Sequence, residues 1–352
     1  MVIVAFSIAL FFAMNIGASG GAAAMGVTYA SGAIRSKFIT LLLCGIAIIL
    51  GSVIQGQEIV KTISSGIIPE NLFTVKVVIL ILIAASLSLF LANLFGIPLS
   101  TSEITIGAVA GVGIAYHVLF VKKLLFIVSF WILTPILAFS ITFFTGKFIY
   151  YLRSKYPNME NGKLQPVFTI LIIFAGLFEA YSAGMKNVAN AIGPLVGAHL
   201  ISLEKGSLIG GIFVALGALF LGRRVIETNG KKITSISILE GIVTSSTTSL
   251  LVITAATYGI PLPITQITSS SIIGIGAVQE GVKVFQKKVV IQMLKVWAVA
   301  PFISFLLSYT FIKILMKSNL YTVFIVIAII IAIIGILVLL MKLNIVKNRE
   351  VY

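Results

Sequence analysis

Long apolar runs separated by short polar breaks recur along the whole chain. They fall at about residues 2–14, 38–56, 74–95, 97–117, 124–150, 166–183, 184–202, 207–221, 236–258, 260–280, 290–315 and 320–341. A helix needs roughly 20 apolar residues to cross a hydrocarbon core of about 30 Å, so the pattern predicts an all-α polytopic membrane protein with about 11–12 hydrophobic segments. The one sizeable polar break, 153–165, contains Pro157, Asn158, Glu160, Asn161 and Gly162 and predicts a surface loop. It divides the chain into a first membrane repeat at 1–150, a connecting loop at 151–165 and a second membrane repeat at 166–317, leaving 318–352 as a terminal transmembrane helix and basic tail.

Self-comparison supports a duplication. Residues 13–26 (AMNIGASGGAAAMG) align with 180–193 (AYSAGMKNVANAIG) at an offset of 167, with Ala13, Gly17, Ala22, Ala24 and Gly26 matched. Residues 96–113 (GIPLSTSEITIGAVAGVG) align with 259–276 (GIPLPITQITSSSIIGIG) at an offset of 163, with eight identities in eighteen. Repeats of this kind in membrane chains point to transporters of inverted topology whose site lies where the repeats meet near the midplane. Charge agrees: 222–232 holds four basic residues and Glu227, whereas 57–70 holds Glu58, Lys61 and Glu70, so the first loop reads as cytoplasmic and the second as external.

Composition confirms lipid as the solvent: 59% of residues are hydrophobic, 10% are charged, and the mean hydropathy is +1.16. The net charge of +15 sits mostly in breaks between apolar runs, which fits topology rather than nucleic-acid binding. Cys44 has no second thiol for a disulfide or metal site and reads as filler. The 2–14 run lacks a basic leader, so no cleaved signal peptide is expected. No nucleotide-binding fingerprint, zinc spacing or catalytic triad is visible, so no cofactor and no enzymatic chemistry are expected, and an ion gradient must drive any transport.

Polar residues inside membrane-grade sequence need partners. Asn15, Ser19, Ser182, Lys186, Asn187 and Asn190 flank the glycines of the first motif pair. Two readings stand: small-residue helix packing, or unwound backbone around a polar guest. For Lys186 the alternatives are an anion ligand, or an ammonium that snorkels to an interface or neutralises Glu179. The second pair, with Ser100, Thr101, Ser102 and Glu103 after Pro98 and with Thr265 and Gln266 after Pro261 and Pro263, predicts helices restarting after an X-Pro step. Their first-turn N–H groups, hydroxyls and positive dipole ends form an anion cradle, although Ser and Thr also cap ordinary helices. Glu103 and Glu179 are the candidates for ion coupling. Glu227, next to Arg223, Arg224 and Lys231, reads as a structural pair; for Glu240 a relay role and structural pairing both stand, and His117 and His199 receive no role.

At these residues the sequence resembles the inorganic phosphate transporter (PiT) family, whose signature GANDVANA-x-G occurs once per half. Here the copies read Gly17-Ala18-Ser19-Gly20-Gly21-Ala22-Ala23-Ala24-Met25-Gly26 and Gly184-Met185-Lys186-Asn187-Val188-Ala189-Asn190-Ala191-Ile192-Gly193. The family's P-x-S-T-[ST]-[HQ] turn is matched by Pro98, Ser100, Thr101 and Ser102, with Glu103 in the last place, and in part by Pro261, Thr265 and Gln266. The ASGG-like first motif and the P-L-S-T-S-E turn resemble the CysP-type sulfate permease branch. The resemblance implies a homodimeric carrier in the cytoplasmic membrane. Its implied cargo is sulfate, thiosulfate or a related oxyanion, bound by Ser19, Ser100, Thr101, Ser102, Lys186, Asn187, Asn190, Thr265 and Gln266.

The departures carry chemistry. The chain contains no Asp, and Gly20 and Asn187 stand where the signature has one. Phosphate near neutral pH keeps protons that a carboxylate can accept; sulfate keeps none and is repelled. Sulfate is therefore expected, with a phosphate symporter of the same family and a passive anion channel as alternatives. Loss of charged oxygen donors disfavours sodium and points to H+ coupling through Glu103 or Glu179. Broken or re-entrant helices are expected at 15–33, 96–110, 182–198 and 259–275.

Overall fold

The computed structural model describes residues 1–94, 99–157, 159–160, 162–227, 233–318 and 321. All regular structure among them is helical. The order is α1 (Val2–Ile16), a π-helical segment (Gly17–Gly21), α2 (Ala22–Ala24), α3 (Gly26–Ala30), α4 (Lys37–Gln55), α5 (Gln57–Ser65), a 3-10 turn (Glu70–Leu72), α6 (Val75–Leu94), α7 (Thr101–Tyr116) and α8 (Val121–Lys155). There follow α9 (Gln165–Gly197), α10 (Leu203–Leu221), α11 (Arg223–Glu227), α12 (Ile238–Thr257), α13 (Ile264–Glu280), α14 (Lys283–Gln286) and α15 (Lys288–Leu315).

Seven helical stretches among the described residues are long and apolar enough to cross a membrane: Val2–Ala24, Lys37–Gln55, Val121–Lys155, Gln165–Gly197, Leu203–Leu221, Ile238–Thr257 and Lys288–Leu315. Val75–Phe90 is a shorter apolar stretch. The chain is a multi-pass membrane protein. Helices satisfy their own backbone in lipid, so Phe144, Phe174 and Leu250 point outward, while the interior holds the polar residues that soluble proteins put on the surface.

One expected break is absent. The runs 166–183 and 184–202 fuse into the 33-residue α9, unbroken through 182–198. The polar insertions that suggested a break instead form a stripe facing inward, and the helix supplies their backbone hydrogen bonds internally. The other three expected breaks are present. In 15–33, α1 passes into the π-helical segment and then turns at Met25. α7 restarts after Ser100, whose backbone is extended, and α13 restarts after Gly259 (φ +67°) and Pro263. Phe95 to Pro98 and the run 320–341 with its tail lie outside the described residues, apart from Tyr321.

The packing is reciprocal. α7 lies along α15, and α13 lies along α8. A Cβ at Gly17 would overlap the Val214 carbonyl, and one at Gly184 would overlap the Ile48 carbonyl. Gly51 meets the Tyr181 carbonyl and Gly217 meets that of Met14; Gly111 meets the Phe305 carbonyl and Gly274 that of Phe139. In each couple, the second contact repeats the first with residues advanced by nearly one offset and the partners exchanged. Backbone approaches this close are possible only where one of the two helices forgoes a side chain at the contact.

Candidate functional site

The two sequence motifs of each half converge at the centre of the molecule. Gly20 lies against Asn187: a Cβ there would stand 3.0 Å from Asn187 Nδ2. These are the two signature aspartate positions, 167 residues apart, in contact. Thr101 Oγ1 donates to Asn187 Oδ1 at 2.8 Å, and Asn190 Nδ2 donates to Thr101 Oγ1 at 3.0 Å and to Ser102 Oγ at 3.3 Å. The start of α7 is thereby tied to the inward stripe of α9.

The second turn closes the other side. Gln266 Nε2 lies 2.8 Å from both carboxylate oxygens of Glu103, and Thr265 Oγ1 donates to the Leu99 carbonyl at 2.9 Å. Ser100 is the N-cap of α7, its Oγ accepting from the Glu103 N–H at 3.4 Å. The starts of α7 and α13 therefore meet, bringing two positive dipole ends to one place.

Among the buried side-chain atoms without a hydrogen-bond partner among the described residues are three donors of the signature segments, Ser19 Oγ, Lys186 Nζ and Asn187 Nδ2, together with one acceptor, Asn190 Oδ1. All four residues are 0% exposed. An unpaired polar group in such a place costs about 1–3 kcal/mol, and an ammonium more. Lys186 does not snorkel: its side chain is fully enclosed. The donor set, with a lysine amine among it, is chemically matched to a compact anion.

Glu179 is placed differently. It sits on α9 two turns before Lys186, roughly 10 Å along the axis, and Thr268 Oγ1 donates to its Oε1 at 2.6 Å. Its Oε2 has no partner among the described residues, and Ser245 Oγ stands beside it without a hydrogen bond of normal geometry. The structure thus separates Glu179 from the Thr101 and Asn187 group. Sequence reading passed over Thr268 and Ser245, although the hydroxyl-rich run 244–249 and the position of Thr268 one turn beyond Thr265 signalled them. Glu240 forms a capping box with Ser237. His117 and His199 adopt left-handed backbone at helix ends. Cys44 is buried with its Sγ 3.1 Å from the Gly21 carbonyl.

Residues 16–308 match the model of the phosphate transporter family. The chain is 54% identical to a sulfate permease, CysP, of Bacillus subtilis, over 94% of this chain and 93% of the relative. It is 25% identical to a putative phosphate permease of Thermococcus kodakarensis over 86% and 95% of the two chains. It also shares its fold with a sodium-dependent phosphate transporter of known structure. There the TM-score is 0.74 and the identity 23%, over 88% of this chain and 98% of that one.

Proposed function

The chain belongs to the phosphate transporter family, and from that premise we propose that it is a secondary active transporter importing sulfate across the cytoplasmic membrane by proton symport. One observation carries the reading: Ser19, Lys186 and Asn187, in the two signature segments, hold unpartnered buried donors in a chain without any aspartate. An unprotonated tetrahedral dianion accepts hydrogen bonds on every face and needs no carboxylate to receive a proton. The relative that is 54% identical bears the name of a sulfate permease, which supports the same substrate.

Thr101, Ser102, Asn190 and the three unpartnered donors surround the anion in this reading. Ser100 and Thr265 hold the two turns, and Gln266 holds Glu103. Moving a dianion inward against an inside-negative potential of 100 mV costs about 5 kcal/mol, so cations must accompany it. Glu103, beside Lys186, and Glu179, with a free oxygen, are the proton carriers. The reciprocal glycine contacts support two inverted repeats, and alternating access is then a rocking of one repeat against the other about the Gly20–Asn187 contact. Membership of the family extends the proposal to a homodimer, with the site complete in each chain.

Purified protein in liposomes tests the reading. Labelled sulfate should accumulate under an imposed proton gradient, excess phosphate should inhibit little, and a sodium gradient should not substitute. Strong phosphate inhibition transfers the proposal to phosphate, which the carboxylates of Glu103 and Glu179 would suit. Flux without accumulation under any gradient makes the chain a channel.

A further inference from the structure

A cavity lies apart from the residues of the proposed transport site. Between α8 and α12, both membrane spans, runs an apolar groove of about 690 Å³, open to the lipid face and walled by Phe130, Leu137 and Leu251. Its end continues, through the shared residues Phe126, Tyr258 and Ile260, into a polar pocket of about 250 Å³ lined by two lysines, Lys61 and Lys123, one carboxylate, Glu58, and the hydroxyls of Thr62 and Ser65. Lys61 pairs with Glu58 at 2.6 Å, whereas Lys123 has no hydrogen-bond or ionic partner among the described residues. A long apolar trough ending at an uncommitted ammonium, a hydroxyl and an exposed tyrosine has the complementarity of one chemical class, an acyl chain carrying an anionic head.

We propose that this groove binds an anionic phospholipid, with an acyl chain along α8 and α12 and the phosphate on Lys123 and Lys61. The floor gives the lipid a route to the site. Ile260 and Leu262 of the groove belong to the turn 258–263 that delivers Thr265 and Gln266, and that turn is tethered on both sides. Thr62 Oγ1 donates to the Gly259 carbonyl at 2.7 Å, and Trp131 Nε1 to the Pro261 carbonyl at 3.0 Å. A bound chain would press on this tethered turn and fix the position of the α13 start. The inference is independent of which anion is carried.

The test uses the full-length protein in detergent, titrated with phosphatidylglycerol or phosphatidylcholine and read by native mass spectrometry and thermal unfolding. Phosphatidylglycerol should bind more tightly and raise the unfolding temperature. Lys123→Ala should weaken it about fivefold and Lys123→Ala with Lys61→Ala further, while phosphatidylcholine binding stays unchanged. Thr254→Trp, which fills the groove, should weaken both lipids. Lys76→Ala, at the start of α6, serves as the control and should change neither. Equal binding of both lipids by all variants overturns the proposal. So does disulfide cross-linking between copies at full yield, with no lipid retained, in a Leu250→Cys variant on a Cys44→Ala background, since the groove would then be a contact between copies.

Discussion

Gln266 and Glu103 occupy the same place in the two copies of the turn, 163 residues apart, and bond to each other at 2.8 Å through both carboxylate oxygens. Duplication has thus produced an unlike pair where the two halves touch. One member is fixed as an amide and the other can take up or release a proton.

That difference makes the pair separable by experiment. Glu103→Gln keeps an amide against an amide and should leave thermal stability nearly unchanged. It should abolish sulfate accumulation driven by a proton gradient while sparing sulfate counterflow. Gln266→Leu strips the carboxylate of its hydrogen bonds and should destabilise the protein by about 2–3 kcal/mol. Reduced counterflow in Glu103→Gln would place the glutamate on the anion rather than on the coupling path.

Thr101 is the hinge of the polar contacts, donating to Asn187 and accepting from Asn190. Thr101→Val should release Asn187, leave Asn190 held by Ser102 alone and lower sulfate uptake by at least about tenfold, whereas Thr101→Ser should keep most of it. Cys44→Ala, which loses only the weak thiol contact to the Gly21 carbonyl and none of these side-chain bonds, should transport nearly normally. Equal losses in Thr101→Ser and Thr101→Val would mean that the methyl packing matters and the hydroxyl does not.

Lys186 gives a prediction with opposite signs for stability and function. Its ammonium is 0% exposed and lacks a hydrogen-bond partner among the described residues, so the empty protein carries the cost of burying it. Lys186→Met should raise the unfolding temperature of the sulfate-free protein and abolish the further rise on adding sulfate. That rise is worth about 2.7 kcal/mol at a hundredfold excess over Kd. A variant that is less stable without sulfate would show that Lys186 supports the fold instead.

What the sequence disclosed follows from what each residue does locally. Three of the four expected breaks were legible because Gly17 to Gly21, Ser100 and Gly259 act on their own backbone. The fourth was misread because Lys186, Asn187 and Asn190 are polar in a membrane run, and polarity there marks which face looks inward as readily as where a helix ends. The convergence of Ser100 to Ser102 with Asn187 and Asn190 could be inferred from the doubled motifs. The pairing of Thr268 with Glu179 could not, because the hydroxyl's spacing marks it as a candidate donor but only the packing of α13 on α8 and α12 brings it to Glu179.

The reciprocal glycines extend the duplication from motifs to packing. A side chain at Gly17 would drive into the backbone of Val214 on α10, and one at Gly184 into that of Ile48 on α4. Neither backbone can rotate away as a side chain could, so the helices would have to separate. Gly17→Val and Gly184→Val should therefore each cost more than the roughly 1–3 kcal/mol of ordinary core overpacking, and by similar amounts, since the two contacts are versions of one interface. Gly32→Ala is the reference. Its φ of +79° makes any side chain strained, but nothing stands within 4 Å, so it should cost only about 1 kcal/mol. Unfolding of the purified variants in detergent, followed by intrinsic fluorescence, measures all three. Full tolerance of valine at one of the paired glycines and collapse at the other would show that the halves no longer share an interface, and the rocking of one repeat on the other would lose its structural basis.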